Sequence, residues 1–355
     1  LRQDREGFGP AEGMLLGKAV EKLLAGEFSR ERCFTASELE QYATCPYRFL
    51  LENILKLEPL EDMTLELDSL ERGQLVHKIL VFFHRRVNEA LGHPGTPLEL
   101  EASQYEQLMQ NALEESLAPP STNPVRAALA EVDRRLISKW LAEYRDQHQS
   151  YDKLWETYDA PLVPEYFEAS FGRSRHQESS CSIDEPLEFQ SGKEILRISG
   201  RIDRIDTGRI GQQAVFNIVD YKSGGSAKFS IEAVARGTAL QLPLYSLAVT
   251  ELLLNDRDAL PWRAGYWYIS RDGFKAKQAL EMYQLTDKGI ELTADWEEIR
   301  AILAKTVAGL VRGIRRGRFP VFNEDQRCTS YCPFHMVCRI QQIRALDKTW
   351  SPTQP

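Results

Sequence analysis

Two acidic residues and a lysine in the middle of the chain have the types and spacing of a hydrolytic metal site. The segment NIVDYKSG has a strand pattern, whose two-residue period places Asp220 and Lys222 on one face and Tyr221 on the other. Asp203 lies near the end of the preceding predicted strand, in GRIDRID, and its carboxylate can reach the same place. Two carboxylates holding Mg²⁺, or Mn²⁺, beside a lysine can hydrolyse a phosphodiester bond, because the metal polarises the phosphate and activates water.

An Asp-x-Lys pair alone is a weak signal, because exposed strands often carry such pairs as solvated charges. Here Asp220 follows the apolar run 216–219, and Asp203 lies in an isoleucine-rich strand. A structural charge so close to buried positions is costly. The flanking residues therefore favour the chemical interpretation.

The elements that must position these residues are predicted from hydrophobic periodicity. Strand patterns occur at residues 165–171, 195–206, 214–222, 263–270 and 277–285. Helical patterns occur at 37–48, at 69–152 with breaks near 93–97 and 119–124, at 238–254 and at 294–316. Ser37 is the expected N-cap of the first of these helices, which should end near Pro46. This order predicts an α/β fold with a mixed sheet flanked by helices.

One domain with a single substantial core is expected for most of the chain, which has 355 residues and 43% hydrophobic residues. Its predicted bounds are 33–345, with a helical part at about 69–152, a catalytic sheet core at about 163–316 and a cysteine loop at 326–340. Residues 1–32 are expected to form a helical lead-in or linker whose helix stops at Gly26, and residues 346–355 a flexible tail. The first residue is Leu, which suggests a piece of a longer polypeptide.

Four of the six cysteines have the distribution of a metal site. Cys328, Cys332 and Cys338 lie together in RCTSYCPFHMVCR, and Cys45 lies far upstream in YATCPYRF. Three thiolates lack a fourth donor, which a closed four-cysteine site for zinc or an iron-sulfur cluster needs, and Cys45 is the best candidate for it. Cys33 and Cys181 are interpreted as ordinary small residues.

The net charge of −8 argues against a broad basic surface that wraps DNA. A local basic strip remains, and two interpretations of it stay open: cations at a helix C-terminus, or contacts to DNA phosphates. The strip consists of Arg312, Arg315, Arg316 and Arg318. The sequence has no signal peptide pattern and no apolar run long enough to span a membrane, so we expect a cytoplasmic protein.

Taken together, these motifs resemble the RecB family of the PD-(D/E)XK nuclease superfamily. The resemblance rests on the order of GQLVHKIL, GRIDRID, VDYKSG, QLPLY and the cysteine loop, with one cysteine upstream, and covers residues 33 to 345. It is strongest to the C-terminal nuclease domain of AddB-type subunits of bacterial helicase-nuclease complexes. The implied fold is the restriction-endonuclease-like mixed sheet with a helical insertion.

The resemblance implies a role for each matching residue. His77, Asp203, Asp220 and the backbone carbonyl of Tyr221 would bind the metal, and Lys222 would be the catalytic lysine. Gln241 and Tyr245 match a Q-x-x-x-Y motif and share one helical face, which suits holding substrate or water. Glu168 resembles a further acidic position of the family.

Structural alternatives exist for several of these residues. A histidine on an amphipathic helix, such as His77, is usually structural, and His84 lies on the same predicted face. Tyr245 could equally serve as core packing. Gln241 is harder to explain structurally, since an amide that faces the sheet requires a partner.

The resemblance also implies a cofactor and partners. The four cysteines would bind a [4Fe-4S] cluster that joins the two ends of the domain, although three residues separate Cys328 from Cys332 where the family commonly has two. Zinc is the second candidate. The implied function is cleavage of DNA, single-stranded in the simplest case, as the exonuclease module of a helicase-nuclease complex in recombination and double-strand break repair. The chain itself has no P-loop, so a helicase subunit or an upstream helicase-like domain would be the motor. Two alternatives are a catalytically silent DNA-binding scaffold and a stand-alone CRISPR-associated or mobile-element nuclease.

Overall fold

The structure is a computed structural model that describes residues 7–58, 69–117, 123–172, 181–191, 194–225 and 229–352. Its main sheet is mixed and is built around one long strand. The strands are β1 (Cys33–Thr35), β2 (Ala160–Phe171), β3 (Leu187–Ser191), β4 (Glu194–Ile210), β5 (Gln213–Lys222), β6 (Leu260–Tyr268), β7 (Gly273–Phe274), β8 (Leu280–Glu281), β9 (Tyr283–Thr286) and β10 (Gly289–Leu292).

Strand β4 is the centre of this sheet. Its first half lies between β1, which is parallel to it, and β3, which is antiparallel. Its second half lies between the antiparallel strands β2 and β5. Strand β5 then pairs in parallel with β6, against which β7 and β8 lie, while β9 and β10 form a separate hairpin.

Helices cover both faces of the sheet. They are α1 (Lys18–Glu27), α2 (Ala36–Thr44), α3 (Pro46–Phe49), α4 (Ser69–Leu91), α5 (Ala102–Ser116), α6 (Pro124–Asp152), α7 (Ile231–Arg236), α8 (Gln241–Ala248), α9 (Ala294–Arg315) and α10 (Ile340–Arg344). Short 3₁₀ segments occur at Pro10–Glu12, Pro97–Glu99, Asn255–Arg257, Ala276–Gln278 and Cys328–Ser330, and π-helical segments at Leu50–Ile54 and Val249–Leu253.

Alternation along β5 divides the core in two. Phe216 and Ile218 pack into the larger cluster, which contains apolar residues of α2, α8 and α9. Val219 and Tyr221 face the other way, into a cluster formed with α4, α5 and α6. The sheet is therefore buried on both faces. Its polar side chains can reach solvent only at the edges of the sheet or at the ends of its strands.

A buried polar network lies on the α4–α6 side of the sheet. The guanidinium of Arg204 is fully buried and donates to the buried carboxylate of Asp206 through Nε at 2.5 Å and Nη2 at 2.7 Å. Its Nη1 donates to the hydroxyls of Tyr144 and Tyr221, at 3.1 and 3.3 Å. Tyr151 donates to the same carboxylate at 2.6 Å. These partners satisfy a charge that would otherwise be costly to bury.

The α/β prediction and most predicted elements are confirmed, and three local predictions are wrong. The N-cap of α2 is Thr35 rather than Ser37, because Thr35 forms a reciprocal capping box with Glu38. Helix α1 continues through Gly26 and ends at Glu27. The predicted strand 277–285 is interrupted, because it contributes first to β8 and then, after Met282, to β9.

The segment before β1 packs against the segment after α9. Met14 forms a β-bridge with Arg318, and the amide of Phe319 donates to the carbonyl of Gly13 at 3.1 Å. Further along, Lys348 forms an ion pair with Glu12 at 2.7 Å, and Trp350 packs edge-on against Tyr42. The domain boundary predicted at residue 345 thus lies within a packed stretch.

Among the described residues, no helix combines the length and the apolar character that crossing a lipid bilayer requires.

Candidate metal and nuclease site

Asp203 and Asp220 lie side by side where the ladder between β4 and β5 ends. The last residues paired in that ladder are Arg204 and Val219. One residue further along, a side chain takes the place of the backbone acceptor: Oδ2 of Asp203 accepts the amide hydrogen of Tyr221 at 2.9 Å. The antiparallel register therefore brings both acidic residues to one place, as the sequence predicted.

His77 reaches this place from α4. Its Nδ1 lies 3.3 Å from Oδ1 of Asp203, and its Nε2 donates to the backbone carbonyl of Tyr221 at 2.9 Å. Gly73, one turn earlier, allows the approach, because a Cβ there would lie 3.2 Å from the Ser223 hydroxyl. The histidine and the Tyr221 carbonyl thus lie beside the acidic pair.

Glu168 completes this arrangement from β2. It is buried, and its backbone has a φ of +56°, in the left-handed region that side chains other than glycine rarely adopt. Its carboxylate, a ring nitrogen of His77 and a carboxylate oxygen of Asp203 all lie within 4.8 Å of one another. Arg201 forms an ion pair with Glu168 at 2.6 Å. Backbone strain that persists in a strand is a common mark of a functional site.

The charges of these groups influence one another. Burial and the neighbouring charge of Asp203 raise the pKa of Asp220 to about 6. Burial would also raise the pKa of Asp203, but the charge and hydrogen bond of His77 outweigh it and lower that pKa. Burial opposes protonation of His77, yet the charge of Asp203 raises its pKa to about 9. The pair of carboxylates therefore attracts positive charge to this point.

Lys222 lies beside Asp220, as the strand period predicts. Its Nζ is 2.5 Å from Oδ2 of Asp220 and 5.2 Å from the centre of the Tyr266 ring. Burial lowers the pKa of Lys222, but the charge of Asp220 outweighs it, so the pKa lies above its usual range. The lysine is therefore held as a cation at the edge of the acidic site.

Gln241 and Tyr245 approach the same strands from α8. Nε2 of Gln241 donates to Oδ1 of Asp220 at 2.5 Å, so this amide has the partner that a side-chain amide facing the sheet requires. The buried Tyr245 ring packs edge-on against Phe171 and close to Gly200, where a Cβ would come within 2.6 Å of it. Its hydroxyl is hydrogen-bonded to the backbone of Arg201. Tyr245 thus combines packing with a polar contact to β4, close to Asp203.

The donor set fits a hard divalent cation. Carboxylate oxygens, a backbone carbonyl and one imidazole are the ligands that Mg²⁺ and Mn²⁺ accept in proteins. Ligand atoms of His77, Glu168 and Asp203 lie within 4.8 Å of one another, and Asp220 is close enough to Asp203 for the two carboxylate charges to interact. A bound cation would relieve the mutual repulsion that raises the pKa of Asp220.

The four predicted cysteine ligands line one cavity of about 550 Å³. Cys45 is the C-cap of α2, and the other three come from the loop that follows α9. Burial, together with the nearby sulfurs of that loop, raises the pKa of Cys45 to about 11. The three loop cysteines are Cys328, Cys332 and Cys338. Among the described residues, cysteine sulfurs do not form a set of three within 4.8 Å of one another.

Other residues singled out from the sequence lie elsewhere. His84 is fully buried in the core between α4 and α6, where its Nε2 lies 2.6 Å from the Tyr144 hydroxyl and its ring stacks on Phe167. In the basic strip, Arg315 donates to the carbonyls of Phe28 and Ser29 at the end of α1. Arg312 and Arg316 are exposed.

Sequence reasoning missed Glu40, on α2, whose carboxylate reaches the first turn of α8. Its Oε1 accepts from the amides of Leu240 and Gln241 at 2.6 and 2.8 Å. No pattern in SELEQYATCPYRF distinguishes Glu40, because its two partners lie 200 and 201 residues further along the chain.

Comparison with known proteins gives two relevant similarities. A sequence model of the PD-(D/E)XK nuclease superfamily matches residues 33–339. The chain is also similar to the AddB-type ATP-dependent helicase/deoxyribonuclease subunits from Staphylococcus aureus strains JH9 and JH1, with 30% identity over 235 residues. That alignment covers 66% of this chain and 19% of each relative, so the chain spans about a fifth of their length.

A solved structure, described as the crystal structure of SSO0001, aligns with 91% of this chain and 98% of its own, at 13% identity and a TM-score of 0.27. A similarity at this level carries no argument about function.

Proposed function

Because the chain belongs to the PD-(D/E)XK nuclease superfamily, we propose that it is a metal-dependent deoxyribonuclease module that hydrolyses phosphodiester bonds. The observation that carries the proposal is the convergence of Asp203, Asp220, Lys222 and His77 at one end of the β4–β5 ladder. An intact set of this kind favours an enzyme over a silent DNA-binding scaffold.

The metal of this module would be Mg²⁺, or Mn²⁺ in its place. Asp203, Asp220, His77 and the Tyr221 carbonyl would hold it, and Glu168 is placed to join them. When bound, such an ion polarises the phosphate and lowers the pKa of water. The buried carboxylates would restrict the position of the bound ion. Because the ion would contact the scissile phosphate, the same carboxylates would determine where that phosphate lies.

Lys222 contributes a fixed positive charge next to this position. Asp220 and the Tyr266 ring already restrict its ammonium group, so Lys222 loses little side-chain conformational entropy when a phosphate approaches. Its raised pKa keeps it protonated at neutral pH. It would therefore donate hydrogen bonds to the phosphate or orient the attacking water, rather than begin as a free base.

Gln241 and Tyr245 would hold this arrangement in place from α8. The amide of Gln241 fixes the orientation of the Asp220 carboxylate, and the other Asp220 oxygen faces Lys222. Tyr245 contacts the backbone of Arg201, whose side chain pairs with Glu168. Both residues thus act on groups that face the substrate.

The four cysteines would bind a [4Fe-4S] cluster that joins α2 to the C-terminal loop. Four cysteine thiolates are the usual ligand set of such a cluster, and a tetrahedral zinc ion is the second candidate for the same ligands. Protonated thiols such as that of Cys45 lose their protons when they bind metal, so the raised pKa does not oppose this assignment.

The relatives suggest the context in which the module works. Their description as helicase/deoxyribonuclease subunits supports a nuclease that works with a helicase. Such a motor delivers unwound strands, so single-stranded DNA is the proposed substrate. Recombination and double-strand break repair are the proposed setting.

Replacing Asp220 by Ala should abolish Mg²⁺-dependent cleavage of a labelled single strand while leaving DNA binding intact, because one metal ligand is lost. Lys222→Ala should also abolish cleavage but keep Mn²⁺ binding, as calorimetric titration can show. The matched control is Asp272→Ala, which removes the carboxylate of an exposed Asp–Lys pair outside the site. Wild-type cleavage by the Asp220→Ala protein would rule out the proposed site.

A further inference from the structure

Helix α8 depends on a distant residue for its N-terminal cap. Its own N-cap position is Leu240, which has no side-chain acceptor. Glu40 of α2 takes that role, because its Oε1 accepts from both Leu240 N and Gln241 N, at 2.6 and 2.8 Å. A single carboxylate oxygen thus satisfies two of the amides that a helix start leaves without partners.

The capped residue also contacts the metal site. Gln241 donates from its backbone amide to Glu40 and from its side-chain amide to Oδ1 of Asp220. One residue therefore separates Glu40 from a proposed metal ligand. Any displacement of the first turn of α8 would move the group that orients the Asp220 carboxylate.

A carboxylate is a costly choice if capping is the only purpose. Burial raises the pKa of Glu40 to about 7, although the two amide hydrogen bonds act in the opposite direction. Two other helices of the chain are capped more simply, α7 by the hydroxyl of Ser230 and α9 by that of Thr293. Gln241 contacts both Glu40 and Asp220, and this connects Glu40 with the site as well as with the helix.

Glu40 lies close to the cysteine cavity on its other side. It lines that cavity together with Cys45, which ends the same helix. The two residues are five positions apart in sequence, which corresponds to a rise of about 7.5 Å along a helix. Glu40 thus lies between the cysteine cavity and the first turn of α8.

We propose that Glu40 is a positioning residue of the nuclease: it holds Gln241 against Asp220. This inference rests on the proposed function. It assigns Glu40 no contact with substrate or metal, so its effect should appear in turnover rather than in binding.

The test compares Glu40→Ala and Glu40→Gln with Thr293→Ala, a cap variant of α9 remote from the site. Cleavage of a single strand with Mg²⁺ gives kcat and KM, calorimetry gives Mn²⁺ affinity, and thermal melting gives stability. Glu40→Ala should lower kcat by roughly 10- to 100-fold, as a displaced catalytic group does, with KM and Mn²⁺ affinity changed less than about threefold. Glu40→Gln keeps an acceptor oxygen and should restore kcat to within about threefold of wild type. Thr293→Ala should lower the melting temperature without lowering kcat.

A double-mutant cycle distinguishes action through Gln241 from a general loss of stability. In a Gln241→Ala background, adding Glu40→Ala should change kcat less than about twofold, because the contact is already absent. Additive effects, or a Glu40→Gln variant as slow as Glu40→Ala, would overturn the role of Glu40 while leaving the nuclease assignment intact. A wild-type protein that cleaves no DNA with either metal would overturn both.

Discussion

Glu168 and Asp203, on neighbouring antiparallel strands, bring their carboxylate oxygens within 4.8 Å of each other, and Glu168 does so with a left-handed backbone. The other two acidic residues of the site, Asp203 and Asp220, do not have a positive φ. The left-handed backbone of Glu168 suggests that the direction of its side chain matters more than the conformational energy of its backbone.

The pair of variants Glu168→Gly and Glu168→Ala measures this strain. Both remove the carboxylate and should weaken Mn²⁺ binding and cleavage to the same extent. Glycine tolerates a positive φ and alanine does not, so Glu168→Gly should be the more stable by about 1 kcal/mol in urea unfolding. Equal stability of the two variants would show that the backbone relaxes at no cost.

Removing the cysteine cross-link should destabilise the whole domain. A metal centre that joins Cys45 to Cys328, Cys332 and Cys338 closes a very long loop, and by analogy with a disulfide the entropic effect is about 5 kcal/mol. Cys45→Ala should therefore lose iron and sulfide together, melt at a markedly lower temperature and bind DNA more weakly. Metal analysis of anaerobically purified protein, with its brown colour, measures the first of these.

The matched controls for the cross-link are Cys33→Ala and Cys181→Ala. Neither residue lines the cysteine cavity, and Cys181 packs at the border of the larger core. Both variants should keep full metal content. Retention of the cluster in Cys45→Ala, with its loss in Cys181→Ala, would identify a different fourth ligand.

Tyr221→Phe separates the carbonyl of Tyr221 from its hydroxyl. The carbonyl faces His77, whereas the hydroxyl lies in the buried network with Arg204 and Tyr144. Losing the hydroxyl should cost about 1 to 2 kcal/mol in urea unfolding, since it leaves buried donors with fewer partners. Cleavage should stay within about twofold of wild type. A folded Tyr221→Phe protein that cannot cleave DNA would assign the function to the phenol instead.

The pH dependence of stability should have a contribution from His84. Burial, assisted by the charge of Arg204, holds the pKa of His84 well below its usual value of 6.5. The unfolded chain then binds a proton that the folded chain refuses, so this contribution to stability is complete above pH 6.5 and is lost as the pH falls below it. Between pH 6.5 and 5.5 the loss should be about 1 kcal/mol.

Urea unfolding of wild type and His84→Gln at several pH values measures this contribution. The variant has no ionisable group at this position and should lose less stability in the acid range. Parallel curves for the two proteins would mean that His84 becomes protonated without unfolding.

The sequence predicted those features that depend on local periodicity. Asp220 and Lys222 share a face because side chains alternate along a strand, and Asp203 meets them because consecutive strands pair. The strands β1 and β3 could not be predicted, because three to five residues give too short a pattern and the partner strand stabilises them. The left-handed backbone of Glu168 and the cap formed by Glu40 depend on tertiary contacts for the same reason.

The pairing of the two ends of the domain has a consequence for its synthesis on the ribosome. The hydroxyl of Tyr42 donates to the carbonyl of Arg318, 276 residues later, and Glu12 pairs with Lys348. At a synthesis rate of about 5 to 20 residues per second, Arg318 is added roughly 15 to 55 s after Tyr42 of α2. During that time its apolar face is open to other contacts. We expect nascent chains to require chaperone protection until the C-terminal loop has left the exit tunnel.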